Sequence, residues 1–347
     1  MADLVYAPSE FRVALAEEST FGTPITAQGS FKELMVTEAT QPDYSNLIQD
    51  RAKKSDGKRV MSHTDHFVSK TGSDFQVSVS GIATDLTLDL LVFGVMQDMT
   101  SEAASTPFMK IWEWDGSSGT TDFSANEGKF FTINGYNPAT DESWQMTSAV
   151  LKDLTLTADP GTNGGRLSYS ATFISGFLPV QTGLTVTPAS WVSPGADFYL
   201  FQSLNTKTVG GSNIVPSSIS MVWGNGATRV GYDSSGEAQN YAIGVGGEGL
   251  TFNGELSVKY DANTKDEIDT FLLDPSQGSA EKAIIIQWGD GSADGTAKFD
   301  INAVYTGNSL DFGNEAGVFV NLPFSGVDDG TNEAIEVSIA NAKDRGW

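Results

Sequence analysis

The sequence predicts an all-β-dominated chain built from two tandem copies of one β-sandwich or half-barrel unit, with one short helix in each copy. Three observations carry that prediction. Short landmarks recur in the same order in the two halves, apolar and polar residues alternate over strand-length segments, and only two segments have the apolar spacing of a helix.

The landmarks come first. Gly72-Ser73-Asp74-Phe75 is answered by Gly249-Leu250-Thr251-Phe252, and Trp114-Asp115-Gly116 by Trp288-Gly289-Asp290-Gly291. Further along, Phe131-Thr132-Ile133-Asn134 returns as Phe299-Asp300-Ile301-Asn302, and Phe173 as Phe324. The separation between partners shrinks along the chain, so the second copy is expected to have the shorter loops. Residues 1–182 form the expected first domain and 196–347 the second. Between them, residues 183–195 form a linker within the Thr-, Pro-, Gly- and Ser-rich stretch from Gln181 to Gly195, and Asp197 to Leu204 is the expected first strand of the second copy.

Strands follow from period-two patterning. Leu167, Tyr169, Ala171 and Phe173 alternate with Ser168, Ser170 and Thr172, giving one dry and one wet face. Val318, Val320, Leu322 and Phe324 do the same in the second copy, as do Phe299, Ile301, Ala303 and Tyr305. Val150, Leu154 and Leu156 read as a strand that ends in the turn Asp159-Pro160-Gly161. Of the two helices, the second is the better marked, because Thr264-Lys265-Asp266-Glu267 has the capping-box pattern and Ile268, Phe271 and Leu272 follow at helical spacing. Its partner is a helix starting near Thr84, with Leu86, Leu90, Leu91, Phe93 and Val95 toward one side.

Composition narrows the function. With 20 Phe and 7 Trp in 347 residues the chain has ample material for buried cores. It has no cysteine, which excludes disulfides, thiolate metal sites and a cysteine nucleophile. The opening Met1-Ala2-Asp3-Leu4-Val5-Tyr6 lacks the basic and apolar regions of a signal peptide, and the longest apolar stretch, Leu86 to Met96, falls short of the ~20 residues that span a bilayer. The expectation is a protein made and assembled in a cytoplasm, with no membrane partner. The net charge is −24, and both halves are acidic. Such a surface lacks the basic stripe that gripping nucleic acid requires, yet a negative wall is suited to letting DNA pass without sticking.

One basic cluster interrupts this acidity: Arg51, Lys53, Lys54, Lys58 and Arg59, inside a long polar stretch from Gln41 to Gly72. Stretches of that length without apolar periodicity are commonly functional loops. Two readings remain open, a contact for an acidic patch on a neighbouring subunit and a solvated loop.

Catalytic and metal readings fare poorly. His63-Thr64-Asp65-His66 holds both histidines but fits no helical zinc motif. Asp290-Gly291-Ser292-Ala293-Asp294-Gly295 opens like a calcium loop, but Ile301 stands where a bidentate Glu is required, so a hairpin turn is expected. Gly244-Val245-Gly246-Gly247-Glu248-Gly249 has no P-loop lysine after it. No enzyme activity, metal or cofactor is expected.

The segment Arg12-Val13-Ala14-Leu15-Ala16-Glu17-Glu18-Ser19-Thr20-Phe21-Gly22-Thr23-Pro24, together with the long early loop and the acidic duplicated body, resembles the tail tube proteins of long, non-contractile-tailed bacteriophages (siphophages) in their two-domain version. The Glu-Ser-Thr-Phe-Gly-Thr-Pro run is the most particular part of the likeness, which covers most of the chain. The resemblance implies a virion structural protein without catalytic residues, whose domains close into a ring β-barrel on oligomerisation. Two domains per chain imply homotrimeric, pseudo-hexameric rings stacked into a tube. Its lumen, lined by acidic or small polar side chains, carries double-stranded DNA and the tape measure protein, and tail terminator and tail tip proteins bound its ends. The Gln41–Gly72 loop with Arg51, Lys53, Lys54, Lys58 and Arg59 becomes the inter-ring contact. The alternative is a β-sandwich binding module, a phage adhesin or decoration or a carbohydrate-binding protein, with exposed Trp112, Trp114 and Trp288 stacking on sugars.

Overall fold

The computed structural model describes residues 11–42, 48–51, 66–69, 74–97, 99–114, 129–138, 142–181, 184–195, 197–232, 234, 238–242, 250–265, 281–291, 293–307, 309–311 and 317–343. The first half carries strands β1 (Arg12–Glu17), β2 (Lys32–Glu33), β3 (Val36–Ala39), β4 (Ile48–Arg51), β5 (His66–Ser69) and β6 (Phe75–Ile82), then helix α1 (Asp85–Met96). It continues with β7 (Ser101–Glu102), β8 (Phe108–Trp114), β9 (Phe131–Asn137), β10 (Glu142–Ala158) and β11 (Ser168–Ser175). The second half carries β12 (Leu204–Val209), β13 (Ser212–Asn213), β14 (Pro216–Gly224), β15 (Thr228–Tyr232), β16 (Ala238–Ala242) and β17 (Thr251–Lys259). It ends with β18 (Lys282–Trp288), β19 (Thr296–Tyr305), β20 (Ser309–Asp311), β21 (Phe319–Gly326) and β22 (Ile335–Asn341).

The protein is β-dominated, and its organising feature is an open antiparallel sheet in the order β3-β6-β11-β10-β14-β17-β21-β20. Two strands bend out of it. The first part of β10 leaves to pair with β9, which pairs with β1, and the first part of β19 leaves to pair with β18 and β22. The rest of β19 stays against β21. Two ladders join the halves: β10 pairs with β14, and β22 pairs with β8. One hydrophobic cluster accordingly runs through both halves, from Val77, Leu156 and Phe173 to Met221, Trp223, Leu256 and Phe324.

The two halves repeat one pattern of strand pairing. In the first copy Val77 lies opposite Phe173; in the second, Gly254 lies opposite Phe324. The displacement that relates Phe75 to Phe252 also relates Val77 to Gly254. Both copies even share an irregularity: the β3–β6 ladder shifts register between Val36 and Glu38, and the β14–β17 ladder at the equivalent place between Pro216 and Ser218. Hairpin β4–β5 corresponds to β15–β16, β9 to β18, and β11 to β21. The C-terminal part of β10 corresponds to β20: Thr155, Leu156 and Thr157 face Ser170, Tyr169 and Ser168, as Ser309, Leu310 and Asp311 face Asn321, Val320 and Phe319. Where the copies differ, packing explains it. A Cβ on Gly254 would lie 2.2 Å from the Phe324 ring, so the second copy lacks the valine of the first.

Several expectations need correction. The Phe-x-Ile-Asn strings both lie on strands, but on non-equivalent ones: Phe131 and Ile133 sit on β9, whose counterpart in the second half is β18, whereas Phe299 and Ile301 sit on β19. Trp114 and Trp288 likewise belong to strands with different neighbours. Both strings alternate large apolar residues toward a core, and that shared requirement makes them alike without common position. Asp197 to Leu204 is not a strand; isolated bridges at Phe198 and Leu200 precede a 3-10 turn, and β12 begins only at Leu204. Trp288 Nε1 donates to the Leu200 carbonyl at 2.9 Å, holding that segment as a lid on the core. Helix α1 starts as expected, with the Thr84 side chain capping the Thr87 N–H, but it is buried on every side. The expected second helix is helical over residues 262–265, and the rest of it lies outside the described residues.

Candidate functional site

The segment Glu18-Ser19-Thr20-Phe21-Gly22 fixes the bend of β10. There the ladder to β9 shifts register between Met146 and Ala149, and Ser148 adopts a φ of 48°, which a non-glycine residue takes only under constraint. The buried Glu18 carboxylate supplies that constraint. It accepts from the Ser148 N–H at 2.8 Å, the Ser148 hydroxyl at 2.5 Å and the Thr132 hydroxyl at 2.6 Å. Burial pushes the Glu18 carboxyl up, against those three donors. Gly22 turns with a φ of 79° and gives its N–H to Ser148 Oγ at 2.7 Å. Once bent, β10 aims its C-terminal part at β14.

Beside this ladder the second copy grips the first. The Arg229 guanidinium on β15 meets Asp74 Oδ1 at 2.5 Å, and the Tyr241 hydroxyl on β16 donates to the same oxygen at 2.8 Å. Tyr241 also packs with Phe130, Val150 and Ile174, and Phe21 stacks edge-on against Phe130 and Tyr241. A second tie is the buried trio of Lys110 on β8, Asp89 on α1 and Asn341 on β22: Lys110 pairs with Asp89 and donates to Asn341 Oδ1 at 3.1 Å, and Asn341 Nδ2 donates to Asp89 at 3.0 Å.

The joined sheet has two unlike faces. On the dry face Val77, Val79, Leu154, Leu156, Tyr169 and Phe173 continue into Ile219, Met221, Trp223, Leu256, Leu322 and Phe324, all buried. The wet face is made mostly of short polar side chains in register: Ser80, Ser170, Thr155, Asn253 and Ser325, with the exposed apolar Val222 between Thr155 and Asn253, form one row across six strands. A neighbouring row runs Ser168, Thr157, Ser220 and Glu255. Ser80 Oγ donates to Ser170 Oγ at 3.2 Å and Ser325 Oγ to Asn253 Oδ1 at 2.5 Å, so these hydroxyls are partly engaged with one another. Carboxylates punctuate the face at Glu38, Asp153, Glu255 and Asp311, with Lys259 at one end. Burial pushes the Asp153 carboxyl up, opposed by Lys152.

Of the predicted inter-ring residues, Arg51 ends strand β4, and Lys53, Lys54, Lys58 and Arg59 lie outside the described residues. His63 and the Gly244–Gly249 run also lie outside. The Asp290–Gly295 segment is the turn of the β18–β19 hairpin, with Asp290 Oδ1 accepting from Ala293 N–H at 2.8 Å. Among the described residues no group of three or more His, Cys, Asp or Glu is placed to hold a metal ion. Nor is any described helix long and apolar enough to cross a membrane. Trp112, Trp114 and Trp288, the suggested sugar platforms, are all core residues. A recess of about 410 Å³ is lined by Glu281, Asp300, Asp329, Glu333 and Glu336. In it, Asn332 and Thr331 N–H groups hold Asp329 down near a pKa of about 2.

Sequence reasoning missed the wet face as a unit and the roles of Asp74, Glu18 and Ser148. The Gly72–Phe75 landmark lay next to the joint, but patterning reports which face of a strand is dry and not which strands stand side by side. No protein-family model matches the chain, and no curated protein matches it.

Proposed function

We propose that this chain is a structural virion protein, the tail tube subunit of a long, non-contractile-tailed bacteriophage. Copies assemble into rings, three chains with pseudo-sixfold symmetry, and the rings stack into a tube whose bore conducts double-stranded DNA during ejection. The observation that carries this reading is the eight-stranded sheet shared by the two halves, one face packed and the other mostly Ser, Thr and Asn, punctuated by Glu38, Asp153, Glu255 and Asp311. Short hydroxyl and amide side chains already bonded to each other offer DNA little to hold, and carboxylates repel its phosphates, so such a face suits passage rather than binding. Closing the sheet around a ring would pair the two edges, at β3 and β20, that no described strand covers, edges that otherwise invite irregular aggregation. The tape measure protein shares the bore during assembly, tail terminator and tail tip proteins bound the tube, and the Arg51–Arg59 loop contacts the next ring.

Negative-stain electron microscopy of the purified chain across a concentration series tests the reading. Hollow rings or striated tubes with three chains per ring are expected. Dispersed single particles at every concentration count against it.

A further inference from the structure

The repeat supplies one ladder that the chain completes by itself and one that, among the described residues, is half made. Within the chain the C-terminal part of β10 lies between β11 and β14, so Leu156 and Thr157 face Met221 and Ser220 on the β14 side. Its equivalent, β20, has the matching neighbour β21 on one side, with Leu310 opposite Val320. Among the described residues no ladder occupies the other side of β20. The effect on burial is direct: Leu156 is 0 % exposed and Leu310 is 46 % exposed, although both stand at the same place in the repeat. At the far end of the sheet β3, the equivalent of β14, pairs with β6, and no described ladder covers its outer edge.

We infer that β20 of one chain pairs antiparallel with residues Thr40 to Pro42, which continue the edge of β3, in a second copy, with Leu310 opposite Gln41, repeating between chains the β10–β14 ladder within the chain. The register comes from the repeat itself: Gln41 stands where Met221 stands and Thr40 where Ser220 stands. Backbone directions agree. Thr40 N–H donates to the Ser78 carbonyl at 2.9 Å, so alternation turns the N–H and C=O of Ala39 and Gln41 to the outer edge. Pro42 falls on the β6 side of that alternation, so its missing N–H costs the outer edge no donor. The two edges differ, so the contact is head-to-tail and each chain offers both partners. This inference rests on the self-assembly proposed above and names the edges that carry it. The intrachain joint also has a clamp that the repeat does not reproduce: the positions equivalent to Asp74, Arg229 and Tyr241 are Thr251, Gln49 and Val68.

The absence of native cysteine allows a clean test. Single variants Gln41→Cys and Leu310→Cys are purified, checked for unchanged far-UV circular dichroism, and oxidised alone and mixed. Directly opposed strand residues have Cα atoms about 5.5 Å apart, within disulfide range, whereas a two-residue slip puts them beyond it at roughly 7–8 Å. The mixture is expected to give a covalent band at twice the monomer mass, absent from either variant alone and from the slipped pair Ala39→Cys with Leu310→Cys. No band from the mixture up to the highest soluble concentration overturns the inference, even if tubes form, in which case the tube reading survives with other edges. Equal bands from the slipped pair overturn the register, and a dimer of Gln41→Cys alone overturns the head-to-tail arrangement. Cross-linked dimers without rings or tubes uphold the ladder and defeat the tube.

Discussion

Replacing Glu18 with alanine should unseat the bend of β10 and with it the joint between the halves. The side chain is buried, and its removal strands the Ser148 N–H and both the Ser148 and Thr132 hydroxyl protons. Hydrogen bonds to charged groups contribute roughly 1.5–3 kcal/mol each, and leaving a buried donor unmade costs about 1–3 kcal/mol. Offsetting the three losses with the relief of burying a carboxylate leaves a destabilisation of about 3–5 kcal/mol. Unfolding entropy of about 2.1 cal/mol/K per residue gives roughly 0.7 kcal/mol/K for the 347 residues, so the melting temperature should fall by about 4–7 °C. Glu18→Gln is the control that isolates the cause. Its carbonyl still accepts from Ser148 N–H and Thr132, and its amide donates to Ser148 Oγ, so a shift of about 1 °C is expected. Scanning calorimetry reads both. An alanine variant that melts with the wild type, or a glutamine variant as damaged as alanine, refutes the clamp.

Three further outcomes follow from the same structure. Asp85 is pushed from 3.8 up to about 6, chiefly by burial and opposed by the Leu86 N–H. The folded state therefore holds this proton more tightly than the unfolded one, and stability drains as pH rises from about 4 to about 6. Asp85→Asn removes that slope, so its melting temperature should gain on the wild type over this window and run parallel above it; parallel curves throughout refute the assignment. Lys110→Met leaves Asp89 buried without its cation and should cost about 3–5 kcal/mol in urea unfolding, most of it regained in Asp89→Leu/Lys110→Met; failure of the double variant to recover refutes the charge argument. Replacing Arg51, Lys53, Lys54, Lys58 and Arg59 with serine should leave single rings intact and shorten tubes, most visibly at low salt; an unchanged length distribution by electron microscopy removes the loop from stacking.

The strands were legible because their constraint is local. A residue such as Tyr169 or Leu322 reports by its neighbours alone that it points to a core, and α1 announced its start through Thr84. Where the constraint is shared by many positions, legibility failed. Phe131 and Phe299 sit in look-alike strings because any strand passing over this core wants a large apolar residue there, and the likeness hid that they belong to different strands. The landmarks at Phe75/Phe252 and Phe173/Phe324 succeeded because they share one ladder, so a single register fixes both. The site was less legible still. Glu18 looks like any other carboxylate in an acidic chain, and only the bend at Ser148, contributed by residues far along the sequence, gives it work.

The repeat places the joint within the chain and the inferred contact between chains at equivalent positions, and the two differ chemically. Inside the chain, the β10–β14 ladder is backed by Arg229 and Tyr241 on Asp74, by the stacking of Phe21, and by Lys110 with Asp89 and Asn341 across the other seam. At the inferred contact between chains the equivalent positions carry Thr251, Gln49 and Val68, and Gln41 stands in place of Met221. A ladder lacking the ionic clamp, with an amide where its twin has a buried thioether, is the weaker of the two, because main-chain bonds exchanged with water yield little by themselves. That ordering suits a subunit that must fold before it assembles. If both joints were equally strong, β20 would compete with β10 for β14 during folding, and the two copies, alike in register down to the shared irregularity at Glu38 and Ser218, would pair with the wrong partners. Divergence at Asp74, Arg229 and Met221 thus selects the intrachain pairing from two that the backbone alone hardly distinguishes.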